Sequence, residues 1–189
     1  MNIFYLHSDP TTCAEMHVDK HCVKMILETC QLLSTAHRML DGVEEPGKTK
    51  TGRNIRRWKL PDDRDNVVYT ATHINHPSAV WCRQNRENYY WLWCLLKALC
   101  TEYTYRYGKV HKCEQDGLVE LLKSFPNNLA HGTFTEPTPA MPDQYKVPGN
   151  SVQSYHNYYI GEKQRMFSWK QRSVPSFINK IKEDAYATI

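Results

Sequence analysis

The fold is decided by residues 9–42, which read DPTTCAEMHVDKHCVKMILETCQLLSTAHRMLDG. Asp9 can cap a helix N-terminus, and Pro10 is tolerated at the first helical position because no backbone donor is needed there. Apolar residues then recur at helical spacing as far as Leu40, and Gly42 follows shortly after. The stretch therefore predicts one long amphipathic helix from Pro10 to about Leu40.

The polar face of this helix carries an unusual set of side chains. His17 and His21 are four residues apart, so they would lie one turn apart on the same side of a single helix. Lys24 and Glu28 continue the stripe, and Asp19 lies to one side of it. Imidazoles, amines and carboxylates at this density indicate a reaction site, a metal site or a polar seam buried against another helix.

The composition is that of one globular domain. The chain has 189 residues, of which 41% are hydrophobic and 12% aromatic, so a sizeable core can form. It contains no run of about 18 apolar residues, and its first residues lack the basic start of a signal peptide. We therefore expect a cytoplasmic protein with no membrane partner.

The seven cysteines agree with that expectation. None lies in a Cys-x-x-Cys pair, and most of them occupy apolar positions of predicted helices. We expect small reduced core residues, and we expect neither disulfides nor a structural zinc site.

The rest of the chain predicts further helices and two irregular segments. A loop is expected over 48–59, because the turn residues Pro46-Gly47 precede it. Residues 125–150 contain five prolines, so we expect a long ordered loop that wraps over the helices. The predicted fold class is mainly α, an irregular orthogonal helical bundle in a single domain over 1–189. Further helices are predicted over about Pro61–Ile74, Ser78–Tyr107 with a restart near Asn85, Cys113–Ser124, Ser151–Trp169 and Ser176–Ala185.

Three segments combine cations with aromatic rings. Residues 48–59 contain six basic side chains and no acid, and 102–112 and 155–165 mix tyrosines with lysine and arginine. Aromatic faces stack on unpaired bases at roughly 1–3 kcal/mol each, while cations follow the phosphates. The alternative is that the tyrosines pack between helices and that Asn75 caps one. The candidate nucleic-acid-binding residues are Lys50, Arg53, Arg56, Arg57, Trp58, Asn75, His76, Tyr105, Arg106, Lys109, Tyr158 and Tyr159.

Several stretches along the chain match a known sequence pattern. They are Asp19-Lys20-His21, Val23-Lys24-Met25, Leu32–Arg38, Lys50–Arg53, Asn75-His76-Pro77, Glu102–Lys109 and Ala140-Met141-Pro142. With them, almost the whole chain resembles a family of small proteins encoded by tailed phages, especially marine ones. The resemblance implies a phage-encoded protein of the host cell cytoplasm, and it attaches no activity.

Three short motifs resemble a second family, the pyrimidine-dimer DNA glycosylases of the phage endonuclease V type. They are His17–His21, Arg106-Tyr107-Gly108 and Tyr158-Tyr159. Those enzymes are small, basic and all-α, and they pair an N-terminal amine with a catalytic carboxylate, without a metal. The chain departs from the motif at Val18, where the family has arginine, and at Asp19, where it has glutamate.

The second resemblance implies a mechanism. The amine of Met1, or a lysine in its place, would attack C1′ of a damaged or modified nucleotide, and the carboxylate of Asp19 would stabilise the cationic intermediate. No cofactor and no metal are implied. The candidate catalytic residues are Asp19, His17, His21, Lys24, Glu28 and Met1.

Three functions stay open from the sequence. The first is a DNA glycosylase/lyase, with DNA or a nucleotide as partner. The second is a non-enzymatic module that binds nucleic acid, a nucleotide signal or a host protein. The third is a metal-dependent hydrolase with His17 and His21 as ligands, although the chain lacks the His-Glu-x-x-His pattern of zinc proteases.

Overall fold

The structure is mainly α-helical, as predicted. The computed structural model describes residues 1–179. Two strands form a small antiparallel sheet, β1 (Val43–Lys48) and β2 (Asn54–Lys59). The helices, numbered in chain order, are α1 (Pro10–Met16), α2 (Asp19–Asp41), α3 (Arg64–Val67), α4 (Pro77–Cys82), α5 (Arg86–Tyr107), α6 (Lys112–Gln115), α7 (Leu118–Leu121) and α8 (Ser151–Glu162).

The core forms where α2 and α5 pack against each other, with α1 and α4 beside them. The side chain of Asn85 accepts a hydrogen bond from the Asn88 amide and so caps the start of α5. Gly108 ends this helix in the left-handed region, at φ 64°. The predicted restart near Asn85 and the predicted end at Gly108 are both confirmed. Residues 2–6 form a buried arm.

The single helix expected over 10–40 is interrupted at His17 and Val18. Both residues have extended backbone, with ψ of 133° and 154°, so α1 and α2 are separate helices. In a continuous helix, the carbonyls of Glu15 and His17 would accept hydrogen bonds from amides four residues later. Instead, the buried guanidinium of Arg106 donates to both carbonyls at 2.9 Å. The prediction of one helix is wrong because a side chain of α5 replaces the helical donors.

The basic stretch over 48–59 belongs to a hairpin, so the prediction of a loop is wrong. β1 and β2 pair with Glu45 opposite Arg57 and Pro46 opposite Arg56. Gly52, at φ 83°, lies in the turn that joins the strands. Pro46 is compatible with β1 because each strand of a two-stranded sheet has one unpaired edge.

The helix predicted over 61–74 is only the short α3. Its carboxyl end meets α2, where Arg38 donates to the carbonyls of Val68 and Tyr69 at 2.9 and 2.7 Å. These carbonyls would otherwise accept from the next helical turn. The chain therefore continues from Val68 to Asn75 without a regular helix.

Two other predicted helices are shorter than expected. Gly117, at φ 77°, separates α6 from α7, so 113–124 is not one helix. α8 ends at Glu162, and Trp169 lies beyond it, donating to the Met16 carbonyl at 2.9 Å. The helix predicted over Ser176–Ala185 is present over 176–179, and its remainder lies outside the described residues.

The Pro-rich segment over 125–150 lies across the helices, as predicted. Trp81 of α4 donates to the Thr135 carbonyl at 2.9 Å. Ser151, the first residue of α8, donates to the Pro137 carbonyl at 2.8 Å. These bonds join the middle of the segment to α4 and to the start of α8.

The cysteines occupy core positions, as expected. All seven are free thiols; Cys94 is half-buried and the other six are buried. Within residues 1–179, no helix combines the length and the apolar composition that a membrane span requires.

Candidate functional site

The start of the chain lies against the polar face of α2. The Asn2 amide donates to Glu28 Oε2 at 3.0 Å, and the Phe4 ring stacks on that of His21 with centroids 4.1 Å apart. The Asn2 side chain donates to the Ala140 carbonyl in the Pro-rich segment at 2.8 Å. The first residues, α2 and the Pro-rich segment therefore meet beside Glu28.

A turn inside the arm fixes this placement. Asn2 Oδ1 accepts from the amides of Ile3 and Phe4 at 2.8 and 3.3 Å. Phe4 has a φ of 53°, in the left-handed region that costs a non-glycine residue on the order of 1 kcal/mol or more. Because the surrounding contacts hold this conformation, the backbone before Phe4 has one defined direction, toward Glu28.

Two amines flank the Glu28 carboxylate. The amine of Met1 lies 3.8 Å from Oε2, and Lys24 Nζ lies 2.9 Å from Oε1. The Glu28 side chain is 10% exposed and that of Lys24 is 67% exposed. The Met1 side chain is only 2% exposed although the residue as a whole is half-buried, so its accessible part is the backbone end that carries the amine.

A histidine-rich corner completes the surroundings of Glu28. His76 accepts from the Ser78 amide through Nδ1 and so caps α4. Burial, and then the positive charge of the Met1 amine, lower the pKa of His76 below its ordinary value. His76 is therefore neutral near pH 7, with Nδ1 accepting from Ser78 and the ring proton on Nε2.

The same corner is hydrogen-bonded to α2 at Thr35, about two helical turns after Glu28. The Thr72 amide donates to Thr35 Oγ1 at 3.2 Å. Thr72 Oγ1 is hydrogen-bonded to Nδ1 of the exposed His73 at 2.7 Å. The corner over 72–76 thus lies on the polar face of α2, near the amine and carboxylate.

His17 and His21 are close together, but the break between α1 and α2 places His17 off the polar face of α2. Their ring centroids are 6.5 Å apart. His17 Nδ1 is hydrogen-bonded to the Cys13 carbonyl at 2.7 Å, and His21 Nδ1 to the Tyr159 hydroxyl at 2.7 Å. Burial lowers the pKa of His17 to about 4 and that of His21 to about 3. Both rings are neutral packing groups near pH 7.

The metal interpretation receives no geometric support. Among residues 1–179, no three or more histidine, cysteine, aspartate or glutamate side chains are arranged to hold a metal ion. A structural or catalytic site needs at least three such protein ligands.

Asp19, the predicted catalytic carboxylate, is occupied by structural bonds. It accepts from Arg106 at 2.9 Å, from the Ser168 hydroxyl at 2.6 Å and from the Lys170 amide at 2.9 Å. Burial alone would raise the pKa of Asp19, but the bonds from Ser168, Lys170 and Arg106 outweigh it and hold the pKa below its ordinary value. Asp19 therefore joins α2 to the segment after α8. The carboxylate that lies beside the Met1 amine is that of Glu28.

Three predicted nucleic-acid contacts are buried, and this placement contradicts their predicted role. Arg106 is 1% exposed, and its guanidinium is used by Glu102 at 2.6 Å as well as by Asp19 and two carbonyls. Tyr159 is fully buried against His21. Trp58 is buried at the base of the hairpin. None of these side chains can stack on a base or reach a phosphate without unfolding its surroundings.

The other predicted contacts occupy three separate surfaces. Lys50, Arg53 and Arg56 are exposed on the hairpin, where Arg57 is half-buried. Tyr105 and Lys109 are exposed near the end of α5, although Arg172 covers the Tyr105 ring at 4.3 Å. The contacts near the arm are Asn75, which is exposed, and His76 and Tyr158, which are half-buried.

The role of Asn2 was not predicted. Its side chain turns the arm and its amide contacts Glu28, and no residue spacing signals a contact between positions 26 residues apart.

The chain has no match among protein-family models, and comparisons with curated proteins and with solved structures also give no significant match.

Proposed function

We propose that the chain is a DNA glycosylase/lyase that acts on damaged or modified bases, with the Met1 amine as nucleophile and Glu28 as the catalytic carboxylate. The observation that carries the proposal is the 3.8 Å separation between the Met1 amine and Glu28 Oε2. The resemblance to the pyrimidine-dimer glycosylases supports it, because that family also pairs an amine with a glutamate. An irregular orthogonal bundle is the architecture that we propose for the scaffold.

Met1 is the better of the two amines beside Glu28. The Met1 amine lies 3.8 Å from Oε2, beyond hydrogen-bonding distance, and it is carried by the accessible end of its residue. Lys24 Nζ is instead bonded to Oε1 at 2.9 Å, so Glu28 holds that amine in place.

The proposed reaction has four steps. The neutral amine attacks C1′ of a nucleotide rotated out of the helix, the bond from C1′ to the base breaks, and the base leaves with a proton. The amine loses a proton as its bond to C1′ forms, and water carries this proton to the departing base. The ring then opens as O4′ takes up a proton from water, which gives a cationic iminium that the Glu28 carboxylate stabilises. Water accepts a C2′ proton as the 3′ phosphate leaves, and hydrolysis of the iminium gives an aldehyde and restores the amine.

Borohydride trapping tests the amine directly. The protein is incubated with a duplex that contains one abasic site, and borohydride reduces any iminium to a stable covalent adduct. Peptide mapping then identifies the modified residue, which we expect to be Met1. An adduct at Lys24 would assign the reaction to the other amine, and the absence of any adduct would refute the Schiff-base mechanism.

Three variants sharpen the test. Glu28→Gln keeps the size of the side chain and should lower the trapping rate by roughly 10²-fold or more. Asp19→Asn should retain most of the adduct, because Asp19 lies away from the amine. Glu120→Gln removes an exposed acid of α7 and is the charge-matched control.

A non-enzymatic nucleic-acid-binding module is the second candidate. It is favoured by the exposed cations of the hairpin. If the parent protein binds duplex DNA and forms no adduct, and if Glu28→Gln leaves its affinity unchanged, this second function replaces the first.

A further inference from the structure

The hairpin is anchored only at its base. Trp58 and Leu60 are buried, and the Trp58 carbonyl accepts from Arg38 of α2 at 2.8 Å. Towards the turn the side chains become exposed, with Thr49 alone half-buried among residues 48–54. The strands therefore form a ribbon whose base packs on the helices and whose tip faces solvent.

Charge is distributed unevenly along this ribbon. The acids lie near the base, where Glu44 pairs with Arg56 at 3.7 Å. The tip over 48–53 carries Lys48, Lys50 and Arg53 and contains no acid. Within residues 1–179, none of these three cations forms an ion pair. Among the described residues, the tip is therefore a concentrated positive charge that no carboxylate balances.

The turn holds the tip in a defined shape. The Thr49 amide donates to the Arg53 carbonyl at 2.9 Å, and the Arg53 amide donates to Thr49 Oγ1 at 3.0 Å. Gly52 takes the left-handed conformation that such a turn needs. Less backbone entropy is lost on binding when the three cations are already arranged on a fixed turn.

We propose that residues 48–53 are a phosphate-binding tip and that the hairpin docks as a two-stranded ribbon into the major groove of duplex DNA. The major groove admits a two-stranded ribbon, and lysine and arginine at its tip match the phosphates along the groove. The choice of DNA rests on the proposed function, whereas the charge and the shape of the ribbon do not.

The structure also sets a length scale for this contact. Asp41 is 13 residues after Glu28 in α2, which corresponds to roughly 20 Å of helix. The six-residue strands add at most about 20 Å more. The tip therefore lies at most about 40 Å from Glu28, so it should contact phosphates within roughly 12 base pairs of the reacting nucleotide, at about 3.4 Å per base pair.

Binding measured against salt tests the tip. The full chain and the triple variant Lys48→Gln, Lys50→Gln, Arg53→Gln are titrated with a duplex that carries a central abasic-site analogue, by fluorescence anisotropy. Loss of three phosphate contacts should reduce the slope of log K against log salt by about 2.7. The matched control replaces Lys97, Lys112 and Lys123 with glutamine, which removes the same charge from α5–α7, and its slope should stay near that of the parent.

A second arm of the experiment tests the length scale. Duplexes shortened stepwise on one side of the analogue should begin to lose affinity at a flank of at most about 12 base pairs, and the triple variant should be insensitive to the shortening. Equal slopes for the tip variant and the control would overturn the proposal. So would tighter binding to single strands than to duplex, or binding to phosphatidylserine vesicles with none to duplex.

Trapping separates this proposal from the proposed function. At low salt the tip variant should still form the Met1 adduct, because its cations are remote from Glu28. If the parent protein shows the expected slope and flank dependence but forms no adduct, the hairpin binds DNA as proposed and the lyase activity is refuted.

Discussion

Replacing Arg106 with methionine should cost about 4 kcal/mol of unfolding free energy, because its buried guanidinium connects α5 to the break between α1 and α2. It is 1% exposed and donates to Glu102, Asp19 and the carbonyls of Glu15 and His17. Breaking a buried pair costs roughly 3–5 kcal/mol, and each orphaned carbonyl adds about 1–3 kcal/mol. The carboxylates of Asp19 and Glu102 also accept bonds from other donors, so the expected cost lies near the low end of these ranges.

Equilibrium urea unfolding measures this cost, with Lys109→Met as the control. Lys109 was predicted to contact nucleic acid together with Arg106, but it is exposed, so its replacement should change the unfolding free energy by less than about 0.5 kcal/mol. If Arg106→Met is destabilised by less than about 1 kcal/mol and loses its affinity for duplex DNA, Arg106 binds DNA and is not a structural residue.

Three further predictions concern the break, the buried imidazoles and a helix end. Asp19→Asn should lower the unfolding free energy by about 1–3 kcal/mol in urea while Met1 trapping persists; unchanged stability with lost trapping would return catalysis to Asp19. His17, His21 and His37 have folded pKa values of about 4, 3 and 4 through burial. Since their unfolded pKa lies near 6.5, protons bind the unfolded chain preferentially, and stability should fall between pH 6.5 and 4, by at most roughly 4 kcal/mol per pH unit. Equal urea midpoints at pH 7 and pH 5 would contradict this. Gly108→Ala forces a left-handed φ on alanine and should cost about 1 kcal/mol in thermal unfolding, and an unchanged midpoint would contradict the cap.

Local signals in the sequence were sufficient where a helix end depends on its own residues. Asn85 begins α5 by capping its N-terminus, and Gly108 ends the helix by taking a left-handed backbone conformation. Both effects act within one helical turn. The helical spacing of α2 also brought Glu28 and Lys24 into the candidate site. These features depend on residues a few positions apart.

Other features depend on side chains from distant parts of the chain. The break at His17 requires Arg106, which lies 89 residues later, and no pattern near His17 signals it. The hairpin depends on pairing β1 with β2, which outweighs the turn signal of Pro46-Gly47. For the same reason, the sequence favours Asp19 over Glu28 as the catalytic carboxylate. The position of Asp19 between two histidines is visible in the sequence, whereas the contact between Met1 and Glu28 exists only in the folded chain.

Peptide mapping of the borohydride-trapped complex tests the central claim most directly. The account predicts a covalent adduct with abasic duplex DNA at the Met1 amine, formed by the parent and by Asp19→Asn, and strongly slowed in Glu28→Gln. An adduct at another residue, or a Glu28→Gln protein that traps DNA as fast as the parent, would contradict it.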